Sequence, residues 1–305
     1  MEGRLGNQLF QYAIARKLSI EFDQDIGIDF SMIEKTTEDL SGGWEDSLKY
    51  FNVTSYKRIN WKDYLSLTQK IVLLIYISFW KKKVDREKQH KFEIKYNPLL
   101  NKFNINWFSL GYNNIMIKNN QNKNIILRGY YESEKYFNDI KKELMEEFTP
   151  KAPLLEKNKA LYEKIVNSNS VCISIRRGDV VEKKELASKM YICNKLYFNK
   201  ALNYLKKLDM NFQYIVFSDD IEWVKENMKF PDGTLFEDGT DPVWEKLRLM
   251  YSCKHFIISN STFSWWAQYL SKNENKIVIS PSKWAVNFGD EYLDLINDNF
   301  IKIDV

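Results

Sequence analysis

The sequence predicts an α/β fold with parallel, Rossmann-like sheets, and three observations predict it. Short β-branched runs alternate with helical periodicity through the second half of the 305 residues. Polar residues follow those runs, where the carboxyl ends of strands would open onto a crevice. Two prolines, Pro150 and Pro153, interrupt regular structure near the middle of the chain. Strands alternating with helices favour parallel pairing, because each parallel crossover needs a helix. The prolines mark a boundary, so the division expected is 1–150 and 151–305, each long enough for its own core.

The first elements are a glycine turn and a helix. Gly3-Arg4-Leu5-Gly6-Asn7-Gln8 precedes Leu9, Phe10, Ala13, Ile14 and Leu18, which fall at helical spacing over 9–20. Ile26-Gly27-Ile28-Asp29-Phe30 reads as a strand. A strand normally leads into such a turn, and none fits ahead of Gly3. The expectation is a first lobe lacking its first strand, with Met1 an internal methionine of a longer reading frame. Residues 44–120 are aromatic and charged, and read as helices and loops. Within them Ile71 to Trp80 is apolar except for Ser78, and Lys81-Lys82-Lys83 follows. That run falls short of the roughly 20 residues that span a bilayer. It reads either as a buried helix with a solvated basic end or as an interfacial anchor on anionic lipid. A strand at 125–127 and a helix over 133–148 complete the first half.

The second half alternates more cleanly. Helical spacing covers 154–166, 197–208, 221–228 and 263–270, and strands are expected at 171–175, 214–217, 256–258 and 276–279. Asp241 and Pro242 read as an N-cap and first helical residue of a further helix through Met250.

Bulk properties exclude several classes. A net charge of +4 with mixed signs is too mild for a nucleic-acid binder. Cys172, Cys193 and Cys253 have no metal-type spacing, and so sparse a set points to a reducing compartment. With only His90 and His255, a histidine-rich zinc site is excluded. Met1 is followed by Glu2-Gly3-Arg4 without an apolar signal core. A cytoplasmic chain is expected, extending to peripheral contact with the inner face of a membrane.

The candidate chemistry lies at three strand ends, where ligands bind in such sheets. Val171 to Ile175 ends in Arg176-Arg177-Gly178-Asp179, and two guanidinium groups suit a diphosphate through bidentate contacts. A salt-bridged surface turn is the plain alternative. Ser218-Asp219-Asp220 follows the next strand, as ligands or as helix caps. Asn260, Ser261, Thr262 and Ser264 open a helix whose free N–H groups favour phosphate; Ser261 is otherwise a cap alone. Trp265 and Trp266 read as core and His255 as structural. The Asp23-Gln24-Asp25 triplet reads as turn chemistry, so no metal site is expected.

Four segments together resemble the α-1,2-fucosyltransferases of glycosyltransferase family 11. They are 3–12, with its Gly-Asn-Gln turn; 129–137; 174–179, which is similar to a His-x-Arg-Arg-x-Asp motif; and 247–270, with Asn260-Ser261-Thr262-Phe263-Ser264-Trp265-Trp266. The resemblance implies a GT-B-like fold of two Rossmann-type lobes, the first on the acceptor side and the second binding GDP-β-L-fucose. It implies inverting transfer to a sugar hydroxyl, O2 of a galactoside, without an obligatory metal, in surface glycan or lipopolysaccharide assembly. Arg176 and Arg177 would then hold the diphosphate with Ser218, Asp219, Asn260, Ser261, Thr262 and Ser264. Asp179 and Glu2 are the candidate bases, with Asp179 equally suited to pairing an arginine, and Asn7 would orient a substrate. Two residues depart from the pattern: Ser174 stands where the motif has histidine, and Arg4 where it has a small residue. Ser174 and the absent first strand leave one alternative, an inactive nucleotide-sugar or glycan-binding homologue; an enzyme of the same fold with another linkage, α-1,6, is a second.

Overall fold

The computed structural model describes residues 1–37, 44–83, 85–115, 117, 124–178, 181, 188, 192–286 and 294–305. The chain forms two compact units: Met1–Lys49, Val53–Glu147 and Tyr292–Asp294 in the first, and Tyr50–Asn52, Phe148–Glu291 and Leu295–Val305 in the second. Both are α/β with parallel strand pairing.

The first unit opens with α1 (Leu5–Phe22), which follows the glycine turn directly and buries Leu9, Phe10, Tyr12, Ala13 and Ile14. Asp23, in the left-handed conformation, ends it by returning its N–H to Ser19 O. Asp25 pairs with Lys57 at 2.7 Å, so this triplet is indeed turn chemistry. β1 (Ile26–Ile28) pairs in parallel with β2 (Tyr56–Arg58), with α2 (Ser31–Thr37) between them. α3 (Leu67–Trp80) starts in a reciprocal capping box of Ser66 and Gln69, and α4 (Arg86–Asn101) follows an Asp85 N-cap. β3 (Ile105–Trp107) then pairs in parallel with β4 (Ile126–Arg128). Leu73, Tyr76, Leu100, Ile105 and Trp107 form a shared core beneath α3 and α4. The helix expected over 133–148 is not continuous. Phe137, at φ −147° and ψ 12°, separates two 3₁₀ turns, and only α5 (Lys141–Glu147) is α-helical.

No strand precedes the glycine turn within the chain. A groove of about 760 Å³ lies between β1 and β4, floored by Ala15, Leu18 and Ser19 of α1. Met1 sits at its end and donates its ammonium N–H to Asp29 O at 2.6 Å. Burial lowers the pKa of that ammonium. Ile28 O accepts Ile59 N–H, and Arg128 O accepts Phe108 N–H. Backbone groups alternate sides along a strand, so Gly27 and Leu127 turn theirs toward the groove.

The second unit contains α6 (Lys159–Asn167), β5 (Ser170–Ile175), α7 (Lys195–Lys206), β6 (Gln213–Ser218), α8 (Ile221–Asn227), β7 (Leu235–Phe236), α9 (Val243–Tyr251), β8 (His255–Ile257), α10 (Thr262–Leu270), β9 (Val278–Pro281) and β10 (Ile301–Ile303). The sheet is wholly parallel in the order β10-β9-β8-β5-β6-β7. β5 lies at the centre and is buried along its whole length, as a strand covered on both faces must be. Pro242, not Asp241, is the N-cap of α9. The Asp241 carboxylate is instead drawn away to Lys157 and Asn158. Trp265 and Trp266 are fully buried, as expected of core residues. His255 is structural: its Nδ1 accepts Ile277 N–H, and its Nε2 meets Asn169 Oδ1, each at 3.0 Å. All three cysteines are free and buried.

Candidate functional site

The order of the second sheet places the site. Counted from β5, the strands run 3-2-1-4-5-6 across the sheet, the order of doubly wound nucleotide-binding folds. All six strands point the same way, but the order in which they are added reverses between β5 and β8, and the crevice at the carboxyl ends of those strands is where such sheets bind ligands. β5 ends in Arg176 and Arg177. β8 runs through Ile258 and Ser259 into Asn260, Ser261 and the first turn of α10. The neighbouring β6 ends in Ser218, Asp219 and Asp220. The topology therefore gathers every described phosphate candidate at the ends of three adjacent strands. Asp179 lies outside the described residues.

The two arginines have different environments. Arg177 is buried, its Nε donating to Asp220 Oδ2 at 3.2 Å and its Cζ standing 3.1 Å from the centre of the Trp223 ring. The guanidinium is thus held by a carboxylate on one edge and an aromatic face beneath. Arg176 is half-buried at the strand end. Asp219 organises the turn that carries both. Its Oδ1 accepts Arg177 N–H at 2.8 Å, and its Oδ2 would stand 2.8 Å from a Cβ added at Gly178. Ser218 Oγ accepts Asp220 N–H at 3.1 Å, a bond within the turn and not a cap, since the helix that follows has no side-chain cap bond. The β6 end is therefore a support for the arginine turn as much as a ligand surface.

The β8 end is built from serines. Ser264 Oγ lies 2.6 Å from Ser174 Oγ and 3.2 Å from Ser259 Oγ, with all three residues buried. This bridge ties the last turn of β5 to the start of α10 across the reversal point. Asn260 Nδ2 donates to Trp284 O at 2.9 Å and anchors the turn from the far side. Ser261 is the N-cap by backbone geometry but makes no side-chain cap bond. The first N–H groups of α10 have no intrahelical acceptor, and with the positive end of the helix they make this a place for an anion. Tyr197, fully buried, donates its hydroxyl to Ile258 O at 2.6 Å and so holds the β8 end. Tyr197, Trp223 and the Ser174–Ser264 bridge escape a sequence reading. Their only signal is an aromatic or hydroxyl residue next to a strand end.

In the first unit the glycine turn is held as rigidly. Gly3 adopts φ +79°, and a Cβ there would lie 2.5 Å from Asn7 Nδ2. Gln8 is fully buried; its amide donates to Gly3 O and Glu45 O at 3.0 and 2.7 Å and accepts Ser47 N–H at 3.0 Å. Gln8 is thus a structural clamp. Gln11 grips the Glu2 backbone on both sides, accepting its N–H at 3.0 Å and donating to its carbonyl at 2.7 Å. The Glu2 carboxylate stands 3.6 Å from Arg128, whose guanidinium lies over the Trp107 ring at 4.3 Å. Gly129, at φ +147°, passes so close to Phe108 O that no side chain fits. Glu2 and Asn7 remain half-exposed on this rigid turn. Among the described residues one carboxylate cluster is close enough to chelate a cation, Glu237, Asp238 and Asp241. Lys157 and Lys246 pair with it at 2.8–3.1 Å.

A 3-2-1-4-5-6 parallel sheet with arginine and a helix start at its reversal point defines a doubly wound α/β protein. The profile of glycosyl transferase family 11 matches residues 1–303. The chain belongs to that family and is a glycosyltransferase. An α-1,2-colitosyltransferase of Escherichia coli is 30% identical over 93% of this chain and 90% of its own length. The O-antigen biosynthesis glycosyltransferase WbnK of Escherichia coli is 31% identical over 47% of this chain and 48% of the relative. A crystal structure of NodZ α-1,6-fucosyltransferase soaked with GDP-fucose superposes with a TM-score of 0.48 at 12% identity, covering 89% of this chain and 90% of that one.

Proposed function

We propose that the protein moves L-fucose from GDP-β-L-fucose to O2 of a galactoside, with inversion, in the assembly of a surface glycan. The observation that carries this is the placement of Arg176 beside the start of α10 at the reversal point of the sheet. An acceptor hydroxyl attacks the anomeric carbon in line as the sugar–phosphate bond breaks, through an oxocarbenium-like state. Negative charge grows on the departing diphosphate. Arg176 and the first N–H groups of α10 face that charge in a crevice already fixed by the serine bridge, so little reorganisation is needed. Arg177 supports this arrangement from its seat between Asp220 and Trp223. The hydroxyl proton goes to a carboxylate, for which Glu2 and Asp179 are the candidates from sequence, and Asn7 is the candidate for orienting a substrate.

The test is Arg176→Lys, assayed for GDP release with GDP-fucose and galactosides. A point charge cannot reproduce a planar fork, and loss of one such donor costs about 3–4 kcal/mol, or 10²–10³ in turnover. Near-wild-type transfer by Arg176→Lys removes this role. GDP binding without release under every acceptor favours a binding homologue instead, and a product linked through O6 favours the α-1,6 alternative. A second donor has support in the relatives, since the one aligned over 93% of the chain is named as a colitosyltransferase. A comparison of GDP-fucose with GDP-colitose at equal concentration decides between them.

A further inference from the structure

We propose that the outer face of α3 is a membrane-contact surface that lies flat in the interfacial layer of an anionic bilayer. The helix is apolar almost all round, and such helices are normally buried on every side. Here only Gln69, Leu73 and Tyr76 are buried. Leu67, Ile71, Leu74, Ile75 and Phe79 are each between 51 and 76% exposed. Their spacing of i, i+4, i+7, i+8 and i+12 sets them on a single face. Contiguous exposed apolar patches of this kind mark interaction surfaces rather than ordinary monomer surface.

The charge around the patch selects the occupant. Lys81 and Lys82 are exposed and Lys83 half-buried directly after the helix, and Lys70 is exposed beside the apolar face. Among the described residues none of these four pairs with a carboxylate, whereas Lys88 and Lys91 of the next helix pair with Asp85 and Glu87. Lys82 stands 5.3 Å from the centre of the Phe79 ring, so apolar surface and charge are contiguous. An apolar face with a cationic end fits anionic headgroups over acyl chains. Among the described residues no helix is long and apolar enough to cross a membrane. The 14 residues of α3 span only about 21 Å at 1.5 Å per residue, so the helix lies along the surface. This surface does not depend on the transfer reaction proposed above.

The experiment is sedimentation of the full chain with vesicles of phosphatidylcholine alone or with added phosphatidylglycerol. A double variant, Ile71→Glu with Leu74→Glu, changes exposed positions and leaves the core beneath α3 in place. Binding is expected to the anionic vesicles, at least tenfold weaker to the neutral ones, and weakened by salt. The double variant is expected to lose at least tenfold in binding while keeping its melting temperature and its turnover on a soluble acceptor. Lys81→Gln with Lys82→Gln should remove most of the salt dependence. Equal binding by wild type and double variant overturns the proposal. So does an absence of vesicle binding, including the case where light scattering finds a dimer that the double variant abolishes.

Discussion

Replacing Gly178 with alanine places a methyl carbon 2.8 Å from Asp219 Oδ2 and 3.2 Å from its Cγ. The carboxylate cannot simply swing away, because Oδ1 accepts Arg177 N–H at 2.8 Å. Either that bond breaks or the backbone at 177–178 moves by several tenths of an ångström. A hydrogen bond to a charged acceptor contributes about 1.5–3 kcal/mol, and the exposure of Asp219 places this one at the lower end. A loss of about 1.4 kcal/mol is tenfold in affinity. Gly178→Ala should therefore weaken GDP binding by about tenfold in calorimetry, with a matching fall in transfer rate. Asp219→Asn keeps an acceptor oxygen and should lose less. GDP affinity equal to wild type in Gly178→Ala would refute the reasoning, because it would mean that the Asp219 clamp does not set the arginine turn.

Two further outcomes follow from other parts of the molecule. An apolar strand of five β-branched residues fused ahead of Met1 should enter the groove between β1 and β4. Each residue gains about 1.5–3 kcal/mol by burial against about 1–2 kcal/mol for fixing its backbone; the melting temperature should rise by several degrees, and an unchanged value would show that the groove does not accept a strand. His255 is held neutral by accepting Ile277 N–H, and burial lowers its pKa from 6.5. The unfolded chain therefore binds this proton at higher pH than the folded one, so stability is full above about pH 6.5 and falls as pH drops toward the lowered folded value. Urea denaturation at pH 7.5 and 5.5 should show the loss, with a smaller difference in His255→Gln.

The second unit was the more legible in sequence. Its strands β5, β6 and β8 are largely buried and so read as continuous apolar runs, and each is followed by a helix. Alternation of that kind is a local property, and it located the ends of β5, β6 and β8. The short strands β2, β3, β7 and β10 carry only two or three residues each, too few to show a period. α3 could be read two ways, because its apolar run does not say which side the core lies on. The structure places the core on one face only.

The candidate site was legible as residue types but not as roles. Arg176 and Arg177 look alike in sequence, yet Arg177 is fixed between Asp220 and Trp223. That difference depends on residues more than forty positions downstream. Ser174 looked like a defect where the resembling motif has histidine. It instead joins Ser264 across the reversal point at 2.6 Å, a pairing of residues ninety positions apart. Gln8 carried no role in the sequence and is a buried clamp, because its three hydrogen bonds reach Gly3, Glu45 and Ser47. Gly3, Gly129 and Gly178 were visible as glycines, and only the structure shows what a side chain at each would strike.

The central claim is that the diphosphate of the sugar donor sits where β5 and β8 part, against Arg176 and the first turn of α10. A crystal of the full chain soaked with GDP tests it most directly. Both phosphorus atoms should lie within contact distance of the Arg176 guanidinium and the N–H groups that follow Ser261. A well-ordered diphosphate bound elsewhere on the second unit, with this crevice left to solvent, would contradict it.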